Sequence, residues 1–228
     1  MLISMRQVCK RYTMGEVSVP AVDQVDLDIE KGEFISIWGP SGSGKTTLLN
    51  LMGALDEPSS GRIRVDGREL SALSDNERTE LRNRFIGFIF QRYNLIPVLT
   101  AVENVMLPLQ IQGVATSSAR RRALEGLEAV GLIVVAQHRP DKMSGGQQQR
   151  VAVARALITD PPLVIADEPT ANLDSHTAHE LIALLQSINR RQRTTFVFST
   201  HDQRLLDCVQ RRVELKDGRI HPAPEVVS

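Results

Sequence analysis

The chain has 228 residues, enough for one ordinary domain or one domain with a sizeable insertion. Hydrophobic residues make up 42% and charged residues 24%, the balance of a globular protein with a real core. Lys plus Arg and Asp plus Glu each number 27, so the basic excess that favours nucleic acid is missing and no such partner is expected.

The N-terminal stretch MLISMRQVCKRY lacks a charged lead followed by a long apolar run, so no signal peptide is expected. Val25, Leu27 and Ile29 alternate with Asp26, Asp28 and Glu30, which predicts a strand with one wet face. EKGE turns the chain into Phe34–Trp38, an apolar run suited to a strand covered on both faces. After Lys45, TTLLNLMGAL reads as helix, ended by DEPSSG. RIRVDGREL reads as strand and turn, with Asp66-Gly67 at the bend. Phe85–Phe90 reads as another buried strand. From Leu95 to Thr159 the pattern is helical, and Arg120-Arg121-Arg122 reads as the wet side of one helix. Leu163–Ala166 and Thr194–Ser199 return to strands, and RRVELKDGRI is a last one, turning at Asp217-Gly218. HPAPEVVS, residues 221–228, reads as a frayed tail.

No stretch approaches 18 uncharged apolar residues, so any work at a membrane needs a span from another chain. Cys9 and Cys208 have no metal-ligand spacing; they read as free thiols, which suits a reducing compartment. Strands and helices alternate at both ends of the chain, around a helical insertion. That order implies a parallel sheet covered on both faces, binding its ligand at the carboxyl ends of the strands.

GPSGSGKT, Gly39–Thr46, fits the phosphate-loop pattern and stands after a strand and before a helix, the context that pattern requires. Its glycines let backbone N–H groups curl around phosphate oxygens. Lys45 reaches the β- and γ-phosphates, the Thr46 hydroxyl binds Mg²⁺, and the helix start adds favourable partial charge. LVIADEPT places Asp167 and Glu168 at the end of a buried strand. One carboxylate there can hold Mg²⁺, directly or through water, and the next can orient and deprotonate an attacking water. Gln91 and His201 close two other predicted strands, at the same rim if those strands are parallel neighbours. A glutamine there can touch the metal or the water, and a histidine can bond the γ-phosphate. His176 and His179 lie three apart on a predicted helix and read as exposed. The N-K-x-D base-reading signature of a GTPase is not present.

MSGGQQQR, Met143–Arg150, makes a second anion device: Ser144, Gly145 and Gly146 start a helix whose face carries Val151, Ala154 and Leu157. One ATP has one γ-phosphate, and a helix inserted from mid-chain need not reach its own cradle. The economical solution is two copies placed head to tail, each capping the ATP held by the other.

With these motifs the sequence resembles the ATP-binding cassette (ABC) family of transport ATPases over essentially its whole length. The motifs come in the family's order: Gly39–Thr46, Gln91, SGGQ at Ser144–Gln147, Leu163–Glu168, NLD at Asn172–Asp174, and His201. The resemblance implies an α/β fold: a P-loop NTPase (RecA-like) core with a mostly parallel sheet, an N-terminal antiparallel β subdomain and an inserted helical subdomain. It implies one nucleotide-binding domain, with residues 1–94 and 160–220 as catalytic core and β subdomain, 95–159 as helical subdomain and 221–228 as tail. ATP and Mg²⁺ are the implied cofactors. Nucleotide contacts are implied for Gly39, Ser41, Gly42, Ser43, Gly44, Lys45, Thr46 and Thr47, and for Tyr12, which matches the family's adenine-stacking aromatic. Ser144, Gly145, Gly146 and Gln147 are implied to cap the ATP of a second copy. Thr46, Gln91 and Asp167 are implied for the metal, and Glu168, His201 and Gln91 for catalysis.

FQRYNLIPVLTAVENVMLPL and HRPDKMSGGQQQRVAVARAL resemble the lipoprotein-release and macrolide-efflux branch of that family. The branch works with separate or fused membrane subunits that push on periplasmic substrates. By that resemblance the chain sits peripherally on the cytoplasmic face of the inner membrane. The groove beside Gln91 and the helical insertion then receives a coupling helix from an integral membrane permease subunit. Leu95–Leu99 is apolar for a loop and fits either that groove or the core of the helical part. Ala171 departs from the glycine common before NLD; alanine lacks easy positive φ, so a slightly different loop is expected. A soluble ABC-type ATPase acting on DNA or ribosomes is the alternative, although such chains usually carry paired cassettes, long coiled coils or basic segments.

Overall fold

The computed structural model describes residues 1–15 and 17–221. Two long strands, β1 (Ile3–Met14) and β2 (Val17–Ile29), run antiparallel at the start of the chain. Met5, Val8, Val25, Leu27 and Ile29 point inward and are buried, as the alternation predicts. On the outer face Arg6 makes a two-pronged contact with Asp28, both bonds at 2.7 Å.

β3 (Phe34–Trp38) leads through the phosphate loop into α1 (Lys45–Met52). The helix stops at Met52, capped by Gly53, rather than continuing to Leu55 as the sequence pattern suggests. β4 (Ser60–Val65) and β5 (Arg68–Glu69) complete an antiparallel sheet of order β2-β1-β4-β5. Next comes α2 (Asp75–Phe85), which sequence reading leaves unassigned. Its start signal is a capping box: Ser74 accepts from the Glu77 amide while Glu77 accepts from the Ser74 amide. Because that helix runs to Phe85, β6 is confined to Ile86–Ile89, and the strand expected over Phe85–Phe90 loses both ends.

The middle of the chain is helical, with α3 (Ala101–Ile111), α4 (Thr116–Ala129) and α5 (Gly145–Leu157). Among the described residues no strand falls between 95 and 159. These helices have a core of their own, built from Val102, Val105, Leu109, Leu127 and Val151. β7 (Leu163–Asp167), α6 (Ser175–Gln192), β8 (Thr195–Thr200), α7 (Gln203–Leu206), β9 (Arg211–Lys216) and β10 (Arg219–His221) finish the fold. The second sheet has the order β10-β9-β3-β8-β7-β6 and is parallel except at the β9–β10 hairpin. His221 therefore ends a strand, and the rest of the expected tail, 222–228, lies outside the described residues.

β3, β6, β7 and β8 are buried on both faces, which is why they read as mostly apolar runs. One face packs with α1 and the antiparallel sheet through Ile35, Ile37, Leu48 and Leu51. The other packs with α6 through Phe34, Phe196, Phe198, Leu181 and Leu185. α5 belongs to two cores: Val151 and Ala154 join the helical one, Val153 and Ala156 the sheet. Phe198 is fully buried, 4.6 Å from the Phe34 ring and 5.7 Å from Phe196, centre to centre. Phe198→Ala should lower the unfolding free energy by about 3–5 kcal/mol, read by urea denaturation, because the rigid surround cannot close the cavity.

Candidate functional site

Three parallel strands deliver the chemistry to one edge. Trp38 lies opposite Thr200, and Ser199 lies opposite Asp167. Gly39, Glu168 and His201 are the residues that follow these strand ends, so they emerge side by side. Gln91 arrives at the same place two residues beyond the end of β6.

Gly44 has φ 100°, and a Cβ there would sit 2.0 Å from the Ala21 carbonyl oxygen, so only glycine fits. At Gly42 a Cβ would meet nothing within 4 Å, which leaves the loop's outer side open to a ligand. Lys45 is buried and its ammonium donates to the Gly39 and Pro40 carbonyls, each at 2.8 Å. The Thr46 hydroxyl donates to Asp167 at 3.1 Å, and the Ser199 hydroxyl donates to the same carboxylate. Together with the Gln91 amide oxygen these are hard oxygen donors, the set that suits Mg²⁺.

Glu168 occupies the left-handed region, φ 45°, unusual for a residue with a side chain and costing of order 1 kcal/mol or more. The conformation is held from behind, because the Glu168 amide donates to both the carbonyl and the hydroxyl of Ser199 at 3.1 Å. The Glu168 carboxylate lies between His201, whose Nδ1 is 3.1 Å away, and the Gln91 amide, which donates at 3.4 Å. The cavity so formed holds about 770 Å³, room for a nucleotide. Ser41, Gly42, Thr46, Thr47 and Tyr12 line it with the residues above. The exposed Tyr12 ring stands at its mouth, its hydroxyl donating to Asp56 at 2.8 Å and the Lys10 ammonium 5.1 Å from its centre. Ser43 does not line the cavity; it is buried beneath the loop and its hydroxyl has no partner among the described residues.

Sequence reading missed Asp202. Its carboxylate accepts from the Thr170 hydroxyl at 2.8 Å and from Arg204 at 2.7 Å, and it caps α7 through the Arg204 amide. It thereby ties the loop after β8 to the loop after β7. The visible signal is the spacing Asp202-Gln203-Arg204 immediately after His201. The Arg204 guanidinium, with Thr170, brings the Asp202 pKa down to about 2.

Ser144, Gly145, Gly146 and Gln147 stand apart from this cavity and do not line it. Ser144 is exposed and caps α5: its hydroxyl oxygen accepts from the Gln147 amide at 3.3 Å, and the Gln147 side chain accepts from the Ser144 amide at 2.9 Å. A Cβ on Gly145 would fall 2.8 Å from the Tyr93 hydroxyl, so a larger residue would push that tyrosine away. Asn172 donates to the Gln91 carbonyl at 2.9 Å. Ala171 keeps negative φ, so the alanine imposes no strain on this loop. His176 and His179 are exposed, and no cluster of His, Cys, Asp and Glu with metal-binding geometry occurs among the described residues. Cys9 and Cys208 are free and half-buried. No helix among the described residues is long and apolar enough to cross a membrane.

Beside the Gln91 loop lies a groove of about 380 Å³ with Leu55, Phe88, Phe90, Leu107, Pro108 and Ile111 on its walls. Leu95–Leu99 does not line it: Leu95 packs on the helical core and Val98 is exposed.

A glycine cradle at a helix start, backed by a buried lysine and two carboxylates on the carboxyl edge of a parallel sheet, defines a P-loop nucleotide hydrolase. Comparison with known proteins narrows this. The chain belongs to the ABC transporter family, matched over residues 22–171, and is an ATPase of that family. It is 50% identical over 219 residues to the lipoprotein-releasing system ATP-binding protein LolD of Anaeromyxobacter dehalogenans, covering 96% of this chain and 92% of the relative. It is 45% identical over 223 residues to the macrolide export ATP-binding/permease protein MacB of Syntrophobacter fumaroxidans, covering 97% of this chain but only 31% of that longer protein. Its fold matches MJ0796 of Methanocaldococcus jannaschii, a bacterial-type ABC transporter cassette seen as a dimer in a post-hydrolysis state with ADP and Pi. The TM-score is 0.92 at 44% identity, over 97% of both chains.

The Asp202 pKa lies below the ordinary carboxylate value of 3.8, so its contribution to stability is present above that value and is lost as pH falls towards 2. Asp202→Ala should lower the unfolding free energy by about 2 kcal/mol at neutral pH. The gap to wild type, followed by urea denaturation, should close as pH falls to about 2.

Proposed function

We propose that the chain is a single nucleotide-binding domain, with residues 1–94 and 160–220 as its catalytic core and 95–159 as its helical arm. It hydrolyses ATP to drive a separate integral membrane permease of the lipoprotein-release or efflux type, from the cytoplasmic face of the inner membrane. One observation carries this reading. The chain has two anion devices, and Ser144–Gln147 lies outside the cavity that Gly39–Thr46 helps to form. Two copies facing head to tail bring the second device of each over the ATP of the other. The dimeric form of MJ0796 supports that arrangement, and the names of LolD and MacB support the transport role. The same names weigh against action on DNA or ribosomes.

In this reading Tyr12 stacks on the adenine. Gly39–Thr47 wraps the phosphates with backbone amides, and Lys45 exchanges the Gly39 and Pro40 carbonyls for β- and γ-phosphate oxygens. Ser43 contributes its amide and not its hydroxyl. Thr46 and Asp167, with Gln91 beside them, hold Mg²⁺, which balances charge on the phosphates. Glu168 takes a proton from the attacking water; Gln91 and His201 fix its carboxylate, and His201 reaches the γ-phosphate. Preset donors of this kind need no reorganisation as charge develops. The groove lined by Phe90, Leu107 and Ile111 takes the coupling helix of the permease.

Glu168→Gln should bind ATP normally, lose about hundredfold or more of its hydrolysis rate, and run as a dimer on sizing with ATP and Mg²⁺. A monomeric variant with normal turnover would remove Glu168 from the role of base. Ser144→Arg should keep nucleotide affinity in the monomer and lose hydrolysis, read by steady-state phosphate release. Undiminished turnover would remove the cross-copy cap.

A further inference from the structure

Tyr12 stands at the cavity mouth near the end of β1, with its ring exposed. A ring so placed turns about its two side-chain torsions unless something holds its tip. Here the tip is held, because the hydroxyl donates to one Asp56 carboxylate oxygen at 2.8 Å. The other oxygen of that carboxylate accepts from the Lys10 ammonium at 2.5 Å and from the Glu57 amide at 2.7 Å. Lys10 also donates to the Glu57 carbonyl at 2.8 Å, and its ammonium lies over the Tyr12 ring, 5.1 Å from the centre. Lys10 and Asp56 are half-buried, and neither lines the cavity. Their contact with a bound base therefore runs through the tyrosine.

Residues 56–59 hold more than the ring tip. The Ser59 amide donates to the Cys9 carbonyl at 2.8 Å, and the Arg11 amide donates to the Ser59 hydroxyl at 3.0 Å. The Asp56 amide donates back to the Asn50 carbonyl, inside α1, at 3.3 Å. α1 spans eight residues, about 12 Å at 1.5 Å per residue, and its other end is the phosphate loop. The phosphate cradle and the aromatic shelf are thus fastened to opposite ends of one helix. Because Lys10 covers one face of the ring, a base has the other. The cation draws ring charge towards itself, which lowers the repulsion between the free face and the π-face of a base. It also offsets the charge of Asp56, which alone would repel a triphosphate.

We propose that Asp56 is a positioning residue for base selection. By anchoring the Tyr12 hydroxyl, with Lys10 as counter-charge, it fixes the ring at the distance from the phosphate loop that a stacked adenine requires. The inference rests on the reading that Tyr12 stacks on adenine. Holding the ring in its bound pose before the base arrives removes part of the ordering cost of binding. A pyrimidine overlaps the ring less and draws less on a fixed shelf, so loss of the anchor harms ATP more than UTP.

The test measures kcat and KM for ATP and for UTP, by steady-state phosphate release, in Asp56→Ala, Tyr12→Phe, their double variant and Tyr12→Ala. Asp56→Ala should raise the KM for ATP about fivefold, the effect expected of one net hydrogen bond, with kcat within about twofold of wild type. The ratio of kcat/KM for ATP to that for UTP should fall about threefold or more in both Asp56→Ala and Tyr12→Phe. The double variant should be no worse than Asp56→Ala alone, since both changes remove the same bond to the ring. An unchanged ratio in the two single variants, when Tyr12→Ala lowers it, would overturn the anchor. So would additive losses in the double variant, or ATP and UTP losing in equal proportion, since that marks general damage. If Asp56→Ala does not fold, Tyr12→Phe decides by the same ratio, because it leaves the Lys10–Asp56 contact in place. A ratio that Tyr12→Ala leaves unchanged would instead overturn the stacking reading beneath the proposal.

Discussion

Ser199 lies opposite Asp167, and Thr200 opposite Trp38, in strands that all run the same way. This register is what the site depends on. It brings the phosphate loop, both carboxylates and His201 to a single edge, although the loop is more than a hundred residues from the others in sequence. A slip of one residue would turn every side chain of a strand to its opposite face, sending Phe198 out of its core along with the chemistry. The stacked rings of Phe196 and Phe198 against Phe34 and α6 therefore secure catalysis as well as stability.

The parts most legible in the sequence were those with a physical signature in a short window. The mostly apolar runs of β3, β7 and β8 announced buried parallel strands, and the glycines and lysine after β3 announced a phosphate cradle. α2 escaped because its face is thin: Leu81 is its one fully buried residue, and its capping box does the work that periodicity does elsewhere. The edges of β6 escaped because Phe85 and Phe90 are as apolar as the residues between them, and a run of hydrophobes does not say where a helix yields to a strand. Ser43 was grouped with its neighbours by position in a motif, yet its side chain lies beneath the loop and not in the cavity. The contacts of Asp202 could not be read at all, since they depend on which loop lies over which strand end.

Division of labour follows from the cores. Beneath the site, β3, β7 and β8 are packed on two sides and leave little freedom. Above it, the conformations are costly ones: Glu168, Tyr93 and Asn94 all sit at positive φ. Rigid strands below and strained turns above leave the loops, and not the sheet, as the parts of the site with conformational energy to release. The helical arm has its own core and is joined to the sheet largely through α5, so a change in loop pose has a stiff element to act on.

The capping box at the start of α5 uses a lone pair of the Ser144 oxygen and the side chain of Gln147, and no acceptor for the serine's own proton occurs among the described residues. An isolated copy thus keeps its helix terminus well solvated and closed upon itself, with no sticky surface to hide. What it offers outward is hydrogen, not oxygen: a hydroxyl proton beside the free first-turn amides. Such a face binds an anion strongly and offers a neutral carbonyl only an ordinary hydrogen bond. Under the two-copy reading, a shared nucleotide anion then favours association of copies, and its departure weakens it.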